Sequence, residues 1–483
     1  MKNDDRTREY NRRLNTGSSN SPRPSRGGKP GGPAGNRRGP AKRRERPAGV
    51  DARMVALDLL GTVLIKLTPL DERLDEDKAF AKLSPRDRAF AYHLVLTVLR
   101  HCGTLDAVIE QCLDRPKDLR QHDLRQLLRL GAAQLLYLET PPHAAIDTCL
   151  HVADARRLTR AKGLVNAVLR KISRDGKELL ASTDKPQLNT PDWLWMAWDE
   201  HYGKDKAAAI AAAHQIEPQL DITVRDPATR EHWAEQLEAT ILPNGSLRRA
   251  TGGAIDKLPG FDEGSWWVQD AAASIPARLF GPELSDKVIA DLCAAPGGKT
   301  MQLASAGAEV IAVDRSAERL KRLSENLQRL GLDGIKPITA NARHWKPEQL
   351  LDGVLLDAPC SATGTIRRHP DVPWLKTPDD VDSLAETQAE LLAEAIDMVK
   401  PGGTLVYCTC SLEPAEGEAQ IERLLSLGAP IRVVPVTADE LGIDADMITD
   451  EGWLRILPSH WAEHGGIDGF FAVRLERLPD QPE

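Results

Sequence analysis

Residues 288–300 read Val288-Ile289-Ala290-Asp291-Leu292-Cys293-Ala294-Ala295-Pro296-Gly297-Gly298-Lys299-Thr300. This pattern predicts a short apolar strand, a tight glycine turn and the start of a helix. Open α/β sheets bind their cofactors at such strand-to-helix turns. Glycines let the backbone approach a ligand closely, and the N-terminus of the helix offers unpaired N–H groups. We therefore expect a cofactor to bind at this turn.

Two phosphate-binding patterns fail at this turn, and their failure narrows the choice of cofactor. A P-loop needs a glycine five residues before its second glycine, where this chain has Cys293. The adjacent Gly297 and Gly298 also miss the spacing of the dinucleotide fingerprint. The next predicted strand, 309–314, ends in Asp314, an acid placed to accept hydrogen bonds from ribose hydroxyls. A nucleoside cofactor without phosphate, such as S-adenosylmethionine, fits this pattern, and an ordinary strand-turn-helix crossover is the alternative.

The charge of the 483-residue chain is unevenly distributed. Its formal net charge is -8. Residues 1–50 hold 14 Lys or Arg against 4 Asp or Glu, so this segment carries +10 and the remainder -18. A basic segment rich in Gly, Pro and Ser, with few apolar residues, is typical of a disordered arm. Such an arm either holds the phosphate backbone of a nucleic acid without reading its sequence or serves only to keep the chain soluble.

Composition also bears on compartment and metal content. Residues 1–50 lack the apolar core of a secretory signal, and no apolar run reaches the length of a membrane helix. Seven cysteines without framework spacing argue against a disulfide scaffold. Cys408 and Cys410 are too close together for a zinc knuckle, and no second pair follows. We expect a cytoplasmic protein with no membrane segment and no metal.

The chain divides into an arm and three predicted domains. Residues 51–175 show apolar residues at helical spacing and predict an all-α bundle. Residues 176–265 are mixed and predict a small α+β subdomain, with a strand near 221–225. Residues 266–483 alternate strands and helices, which predicts a doubly wound parallel sheet. Its strands are predicted at 288–292, 309–314, 335–340, 353–357, 404–410, 431–436 and 470–475, the last two pairing antiparallel, with helices at 317–330 and 383–399 among those between them.

Some residues of the middle segment have two interpretations. Trp193, Trp195 and Trp198 lie at helix-like spacing, which favours anchoring of a core over stacking on RNA bases. Arg248 and Arg249 are expected either to contact phosphate or to lie on a solvated surface.

Two loops at the predicted carboxyl edge of the sheet each present a cysteine. One reads Asp357-Ala358-Pro359-Cys360-Ser361 and the other Cys408-Thr409-Cys410-Ser411. A thiol becomes a good nucleophile when neighbouring cations lower its pKa, and Arg367, Arg368, His369 and Lys299 are candidates for that role. A thiolate that adds to carbon 6 of a pyrimidine makes carbon 5 electron-rich, so that carbon 5 attacks a methyl sulfonium. An acid near ring nitrogen 3 and a base for the carbon 5 proton complete the requirement.

Taken together, these motifs resemble the RNA 5-methylcytosine methyltransferases. The residues that carry the resemblance are 291–300, Asp357-Ala358-Pro359-Cys360-Ser361, Thr409-Cys410-Ser411 and Asp468-Gly469-Phe470-Phe471. The segment 162–170 resembles the last helix of NusB-like RNA-binding domains. This combination is similar to the RsmB branch of the family, which modifies a cytosine of bacterial small-subunit ribosomal RNA. The resemblance covers roughly residues 50–478.

The resemblance implies a role for each matching residue. Cys410 matches the cysteine that attacks the base, and Cys360 matches the one that assists elimination. Asp357 matches the acid beside the cytosine and the cofactor. The loop that holds S-adenosylmethionine corresponds to Cys293, Ala294, Ala295, Pro296, Gly297, Gly298 and Lys299, with Lys299 also counted in the catalytic set. Asp314 matches the ribose acid, and Asn341 stands where the family usually has an aspartate near the adenine.

Sequence spacing alone does not separate Cys360 from Cys410 as nucleophile; the resemblance favours Cys410. The bundle, the small subdomain and the arm would grip RNA around an unstacked target base. Transfer RNA is an alternative substrate, and a non-catalytic RNA-binding factor is an alternative of another class. A P-loop nucleotidase is a third reading, opposed by Cys293. Nothing in the sequence requires a dimer, so we expect a monomer.

Overall fold

The computed structural model describes residues 47–479, apart from 116–118, 120, 184, 251 and 252. The basic arm predicted at 1–50 therefore lies, up to residue 46, outside the described residues.

The first part of the described chain is helical, as predicted. Its α-helices are α1 (Val50–Lys66), α2 (Leu70–Glu76), α3 (Lys78–Ala81), α4 (Pro85–Arg100), α5 (Cys102–Gln111), α6 (His122–Leu136), α7 (Pro142–Ala155), α8 (Lys162–Ser182), α9 (Asp192–Tyr202) and α10 (Lys204–Ala213). Apolar faces of α1, α4, α6 and α8 meet in one core, where Leu59, Leu94, Leu127 and Val168 are fully buried. Ser84 caps α4 by accepting from the Asp87 N–H, and Pro85 fills the first helical position.

Helix α8 runs across residue 175, where we expected one domain to end. The division of the chain into domains therefore stays a prediction. Beyond α8, the three tryptophans of the next helix anchor a core, the interpretation we favoured. Trp198 is fully buried, and Trp193 and Trp195 pack against the same cluster.

A small antiparallel sheet follows the helices. Its strands are β1 (Leu220–Val224), β2 (Thr240–Ile241), β3 (Leu247–Arg249) and β4 (Trp266–Val268), in the order β2-β3-β1-β4, with α11 (Arg230–Gln236) beside them. The structure corrects both expectations for Arg248. Its side chain is buried and pairs with Asp221, with Nε 2.6 Å from Oδ1 and Nη2 2.6 Å from Oδ2. It thus serves neither as a phosphate contact nor as surface charge.

The last part of the chain forms an eight-stranded sheet between helices. Its strands are β5 (Val288–Leu292), β6 (Glu309–Asp314), β7 (Ile335–Thr339), β8 (Leu351–Asp357), β9 (Val399–Thr409), β10 (Ile431–Val433), β11 (Leu454–Ile456) and β12 (Phe470–Arg477), and its α-helices are α12 (Gly298–Ser305), α13 (Ala317–Leu330), α14 (Val372–Leu375), α15 (Pro378–Met398), α16 (Glu418–Ser426) and α17 (Ala438–Leu441). The strand order is β10-β12-β9-β8-β5-β6-β7, with β11 paired to β12. Strands β5 to β9 are parallel, and β12 runs antiparallel to β9, β10 and β11. This confirms the predicted doubly wound sheet and its antiparallel end.

The helical bundle is docked on the segment that follows the first cysteine loop. The Leu70 N–H donates to Asp371 Oδ2 at 2.9 Å, and Trp374 Nε1 donates to the Leu99 carbonyl at 3.1 Å. Arg100 Nη2 donates to the Arg367 carbonyl at 2.9 Å. The bundle therefore contacts the segment that leads away from the Cys360 loop at the carboxyl end of β8.

The buried Asp221–Arg248 pair gives a stability prediction. Asp221→Asn leaves a buried guanidinium without its counter-charge, so the free energy of unfolding should fall by about 3–5 kcal/mol. Urea unfolding followed by circular dichroism measures the change. Lys336→Ala removes a solvent-exposed pair with Glu309 and should leave the unfolding midpoint unchanged. Equal midpoints for Asp221→Asn and wild type would contradict the assigned role.

Candidate active site

The site lies where the strand order of the large sheet reverses. Strand β5 is followed along the sheet by β6 on one side and by β8 on the other. Doubly wound sheets bind ligands outside the carboxyl ends of the strands at this switch point. The glycine turn follows β5, the Cys360 loop follows β8 and the Cys410 loop follows β9. The fold therefore brings three of the predicted motifs to one edge.

The glycine loop is fixed by backbone contacts to the neighbouring strand. The Ala294 N–H donates to the Val313 carbonyl at 3.1 Å, and the Ala295 N–H donates to Asp314 Oδ2 at 3.1 Å. Gly297 has φ 107°, and a Cβ at this position would lie 2.8 Å from Leu323 Cγ. Only glycine meets both demands without strain. The loop thus presents its backbone just ahead of the N-terminus of α12.

The two residues predicted to contact the nucleoside lie at the ends of β6 and β7. Asp314 is buried, and besides Ala295 it accepts from the Ser316 N–H at 2.9 Å. An ionised carboxylate has about four acceptor positions, so Asp314 keeps capacity for a ligand. Asn341 is exposed and accepts from the Arg343 N–H at 3.1 Å. Both assignments as cofactor contacts stay predictions.

Lys299 and Asp357 form an ion pair in the middle of the edge. Lys299 Nζ lies 2.8 Å from Asp357 Oδ2 and 4.9 Å from the centre of the Phe470 ring. Burial disfavours the ammonium, but the charge and hydrogen bond of Asp357 together with the charges of Cys408 and Asp291 outweigh burial and raise the pKa of Lys299. Cys408 Sγ lies 3.5 Å from the other oxygen of Asp357, and burial together with that carboxylate raises the pKa of Cys408. Cys408 is therefore a buried thiol beneath the ion pair.

A third carboxyl, Asp291, lies beneath the glycine loop. It is fully buried and accepts from Thr300 Oγ1 at 2.5 Å, while its Oδ1 has no hydrogen-bond partner among the described residues. Burial raises the pKa of Asp291 to about 7. Burial, followed by the charges of Asp357, Asp314 and Asp291, raises the pKa of the nearby Cys293 thiol to about 12. Burial, reinforced by the nearby carboxylates, thus disfavours a thiolate at Cys293.

A cleft of about 350 Å³ opens beside the glycine loop. The described residues that line it are Ala294, Pro296, Gly298, Lys299, Met301 and Asp357 from the loop, α12 and β8, and Phe261, Trp267, Val268, Gln269, Asp270, Ala273, Asn326 and Arg329 from the small-sheet side and α13. Asp314, Cys360 and Cys410 are not among the lining residues. The cleft therefore extends from the small sheet to Asp357 and does not include the two cysteines. We did not predict Gln269, whose side chain lies against Gly298; no periodicity or motif marks it.

The two predicted catalytic cysteines are neighbours. Their Sγ atoms are 3.4 Å apart, and both side chains are partly exposed. The hydrogen bond with Cys410, burial and the charge of Glu416 raise the pKa of Cys360 well above its usual value. Two thiols so close together at a strand edge can act on one substrate carbon in succession.

The structure assigns other partners to the cations that we expected beside the thiols. Arg368 pairs with Asp270 at 2.5 Å and with Asp468 at 2.9 Å. The fully buried Arg367 has its charge favoured by the same two aspartates, although burial lowers its pKa. His369 lies 3.6 Å from Asp71 on the helical bundle. Arg368 thus ties the loop to neighbouring segments, whereas the Arg367 guanidinium makes no hydrogen bond within the described residues. None of the three side chains is among the groups whose charge shifts the pKa of Cys360 most strongly.

A buried carboxylate that we did not predict joins the two cysteine loops. Glu416 accepts from the Ser361 N–H at 2.9 Å and from Ser411 Oγ at 2.5 Å. Gln388 Nε2 donates to it at 3.0 Å. Its position shortly after Thr409-Cys410-Ser411 is the only sequence signal, since an isolated glutamate shows no periodicity. Both loops are thus fixed by one side chain.

Two family models match different parts of the chain. A family model described as 16S rRNA methyltransferase RsmB/F matches residues 278–476, and one described as the NusB family matches residues 50–174. A probable ribosomal RNA small subunit methyltransferase B of Synechocystis sp. is 36% identical over 450 residues, covering 89% of this chain and 100% of that protein. The chain belongs to this family. The ribosomal RNA small subunit methyltransferase B of Salmonella arizonae is 37% identical over 413 residues, 82% of this chain and 91% of that protein.

A solved structure supports the fold of the family member described here. The crystal structure of PH0851 aligns with a TM-score of 0.70 at 26% identity, covering 90% of this chain and 99% of that one. The chain is thus an S-adenosylmethionine-dependent RNA methyltransferase, as its motifs led us to expect. Among the described residues, no cluster of His, Cys, Asp and Glu is arranged to hold a metal ion. No helix in the described ranges is long and apolar enough to span a membrane.

The raised pKa of Asp291 predicts a pH dependence of stability. The unfolded carboxyl titrates near 3.8 and the folded one near 7, so between these values the folded chain binds the extra proton. Stability relative to Asp291→Asn should therefore fall as pH rises, by about 1.4 kcal/mol for each pH unit. Urea unfolding of both chains at several pH values tests this. A difference that stays constant between pH 4 and 7 would show that Asp291 is ionised in the folded chain.

Proposed function

We propose that this enzyme transfers a methyl group from S-adenosylmethionine to carbon 5 of a cytosine in small-subunit ribosomal RNA. The transfer proceeds through a covalent bond between Cys410 Sγ and carbon 6. The observation that carries the proposal is the 3.4 Å separation of the Cys360 and Cys410 Sγ atoms, on the same edge as the Lys299–Asp357 pair. One thiol can attack while the second remains within reach of the adduct.

The residues divide the reaction between them. The Cys410 thiolate bonds to carbon 6, and electron density moves to carbon 5, which accepts the methyl group. Asp357, held by Lys299, accepts from the amino group at the pyrimidine edge, and the Lys299 ammonium stabilises the negative charge that develops on the ring. A base then removes the proton from carbon 5, the S–C6 bond breaks and Cys410 leaves as thiolate, with Cys360 assisting the release.

The loop of β5 fits the proposed cofactor. When bound, S-adenosylmethionine supplies an electrophilic methyl group on a positively charged sulfur. Asp314 and Asp357 flank the loop with Asp291 beneath it; Lys299 pairs with Asp357 and Arg319 lies 3.5 Å from Asp314, so the carboxyl groups still outnumber the cations, which suits a cationic ligand. Residues 293–299 would hold the cofactor with their backbone, Asp314 would hold the ribose, and Asn341 would lie near the adenine.

We also propose how RNA is bound. The domains are 1–50, 51–175, 176–265 and 266–483, with the bundle, the small sheet and the arm gripping RNA by its shape and phosphates. The target cytosine must leave its stack to reach the edge that carries Cys410. One adduct site per chain requires no second copy, so the enzyme acts as a monomer.

Methyl transfer tests the division of labour between the cysteines. With labelled S-adenosylmethionine and unmodified small-subunit ribosomal RNA, wild type should place label in 5-methylcytosine. Cys410→Ala should lose transfer because no thiolate attacks carbon 6. Cys360→Ala should accumulate a protein–RNA adduct visible on a denaturing gel. Cys112→Ala, a thiol on the helical bundle, serves as the matched control and should behave as wild type.

The alternative outcomes point to specific corrections. Adducts in Cys410→Ala instead of Cys360→Ala would exchange the two roles. Label only in transfer RNA would retain the chemistry and replace the substrate. Without transfer to any RNA, the chain would be a binding factor.

The cofactor assignment has its own prediction. Asp314→Ala removes a charged acceptor from the loop, and charged hydrogen bonds contribute about 1.5–3 kcal/mol. The dissociation constant for S-adenosylmethionine, measured by calorimetry, should therefore rise by about 10- to 100-fold. Asp439→Ala, on α17 of the same half of the chain, is the control. Unchanged affinity in Asp314→Ala would remove Asp314 from the site.

A further inference from the structure

Glu416 is a fully buried carboxylate at the end of the short helix Pro414–Glu416. Its Oε1 accepts from the Ser361 N–H at 2.9 Å and from Gln388 Nε2 at 3.0 Å. Its Oε2 accepts from Ser411 Oγ at 2.5 Å and from Ser361 Oγ. Four donors satisfy the acceptor positions of an ionised carboxylate, although neutral groups supply all four. The charge is therefore solvated by the protein and remains available to act on its surroundings.

These contacts reach both thiols through their neighbours in sequence. Ser361 follows Cys360, and Ser411 follows Cys410. The backbone of Glu416 adds to the clamp, because its carbonyl accepts from Tyr407 Oη at 2.7 Å. Glu416 thus determines the relative position of the two cysteine loops.

The clamp is unsymmetrical between the two loops. Glu416 holds Ser361 by two atoms and Ser411 by one. On the Cys410 side, the Arg455 guanidinium donates to the Ser411 carbonyl at 2.6 Å. The carboxylate therefore contacts both loops, but it is held by two atoms of the Cys360 loop and by one of the Cys410 loop, and only the Cys410 loop is also touched by a positive group.

Other charged groups near Cys360 and Cys410 do not reverse this difference between the two loops. Arg455 is also paired with Glu418 at 2.5 Å, which partly offsets its charge. Glu413 accepts a hydrogen bond from Trp198 Nε1 at 3.1 Å. Burial raises the pKa of Glu413 to about 7. The buried Tyr407 hydroxyl has a pKa raised well above its usual value by burial and stays neutral. The Lys299–Asp357 pair acts most directly on Cys408.

We propose that Glu416 is a positioning residue whose buried charge keeps the proton on Cys360 and leaves Cys410 as the thiol that ionises. This inference rests on the proposed adduct mechanism. Cys410 releases its proton to solvent, and the freed electron pair forms the bond to carbon 6. Cys360 retains its S–H 3.4 Å from the attacking sulfur. The hydrogen bond to Cys410, burial and the charge of Cys410 raise the pKa of Cys360 most, and the charge of Glu416 adds to them in the same direction.

Alkylation of the thiols in the full chain tests the proposal without RNA or cofactor. Iodoacetamide forms an S–C bond with a thiolate and releases iodide, so the rate at each cysteine follows its ionisation. Initial rates at Cys360 and Cys410 are read from peptide mass spectra across the neutral to alkaline range. In wild type, Cys410 should react at lower pH than Cys360. In Glu416→Gln, the Cys360 midpoint should fall by about 1 pH unit, which is about tenfold faster alkylation below the midpoint.

Glu413→Gln is the matched control, because it removes a buried carboxylate from the same loop. It should leave the Cys360 midpoint where it is in wild type. A Cys360 midpoint unmoved by Glu416→Gln, or midpoints of both cysteines moved equally, would overturn the proposal. A thermal melt shows whether Glu416→Gln folds. If it does not, the order of alkylation in wild type is the test, because alkylation of Cys360 at lower pH than Cys410 would overturn the proposal.

This readout is separate from the test of the proposed function. Absence of methyl transfer to RNA, with a shifted Cys360 midpoint, would reject the reaction and leave the electrostatic role of Glu416 standing. An unshifted midpoint in an enzyme that methylates cytosine would reject only the role of Glu416.

Discussion

Arg368 connects three separate segments of the chain through one partly buried guanidinium. It lies 2.5 Å from Asp270, 2.9 Å from Asp468 and 3.6 Å from Asp221. Burial opposes its charge, but the three carboxylates outweigh burial and raise its pKa. Because a buried charge that loses its partners is costly, these segments must stay together. The loop that carries Cys360 is thereby positioned by the small sheet and by the segment that leads into β12.

The catalytic edge combines two electrostatic environments. Around the glycine loop, the carboxyl groups of Asp291, Asp314 and Asp357 face two cations, Lys299 beside Asp357 and Arg319 beside Asp314. Around the cysteines, neutral donors surround a single carboxylate, Glu416. Strand β8 and the loop after it join the two, because they supply both Asp357 and Cys360. The cationic cofactor of the proposed reaction and its uncharged nucleobase substrate would thus lie side by side at the end of β8, each against its own group of residues.

Local patterns predicted the elements of the large sheet well. The strands at 288–292 and 309–314 and the helix at 317–330 were predicted with their observed bounds, because apolar periodicity, the Ser316 cap and Gly331 mark them. Helix α15 begins at Pro378, before our predicted 383, although Thr377 and Asp380 form a capping box that signals its start. Strand β11 was missed because three residues are too few to show alternation.

Long-range pairing was not accessible from sequence. The motifs marked Lys299, Asp357, Cys360 and Cys410, whose neighbourhood follows from parallel strands. They did not mark Glu416, because two of its partners, Ser361 and Gln388, come from distant segments. Arg248 and Arg368 were misassigned for the same reason: a charged residue looks alike in sequence whether it faces solvent or a buried aspartate.

The docking of the bundle on residues 366–375 limits how modular the enzyme is. That stretch leads directly away from the Cys360 loop, and it offers Asp371 and Trp374 to the bundle. A catalytic half separated from its helical half would expose an indole and leave a carboxylate without its donor. Exchanging helical halves between relatives to redirect substrate choice therefore requires a matched surface on this stretch, so the two halves are constrained to evolve as a pair.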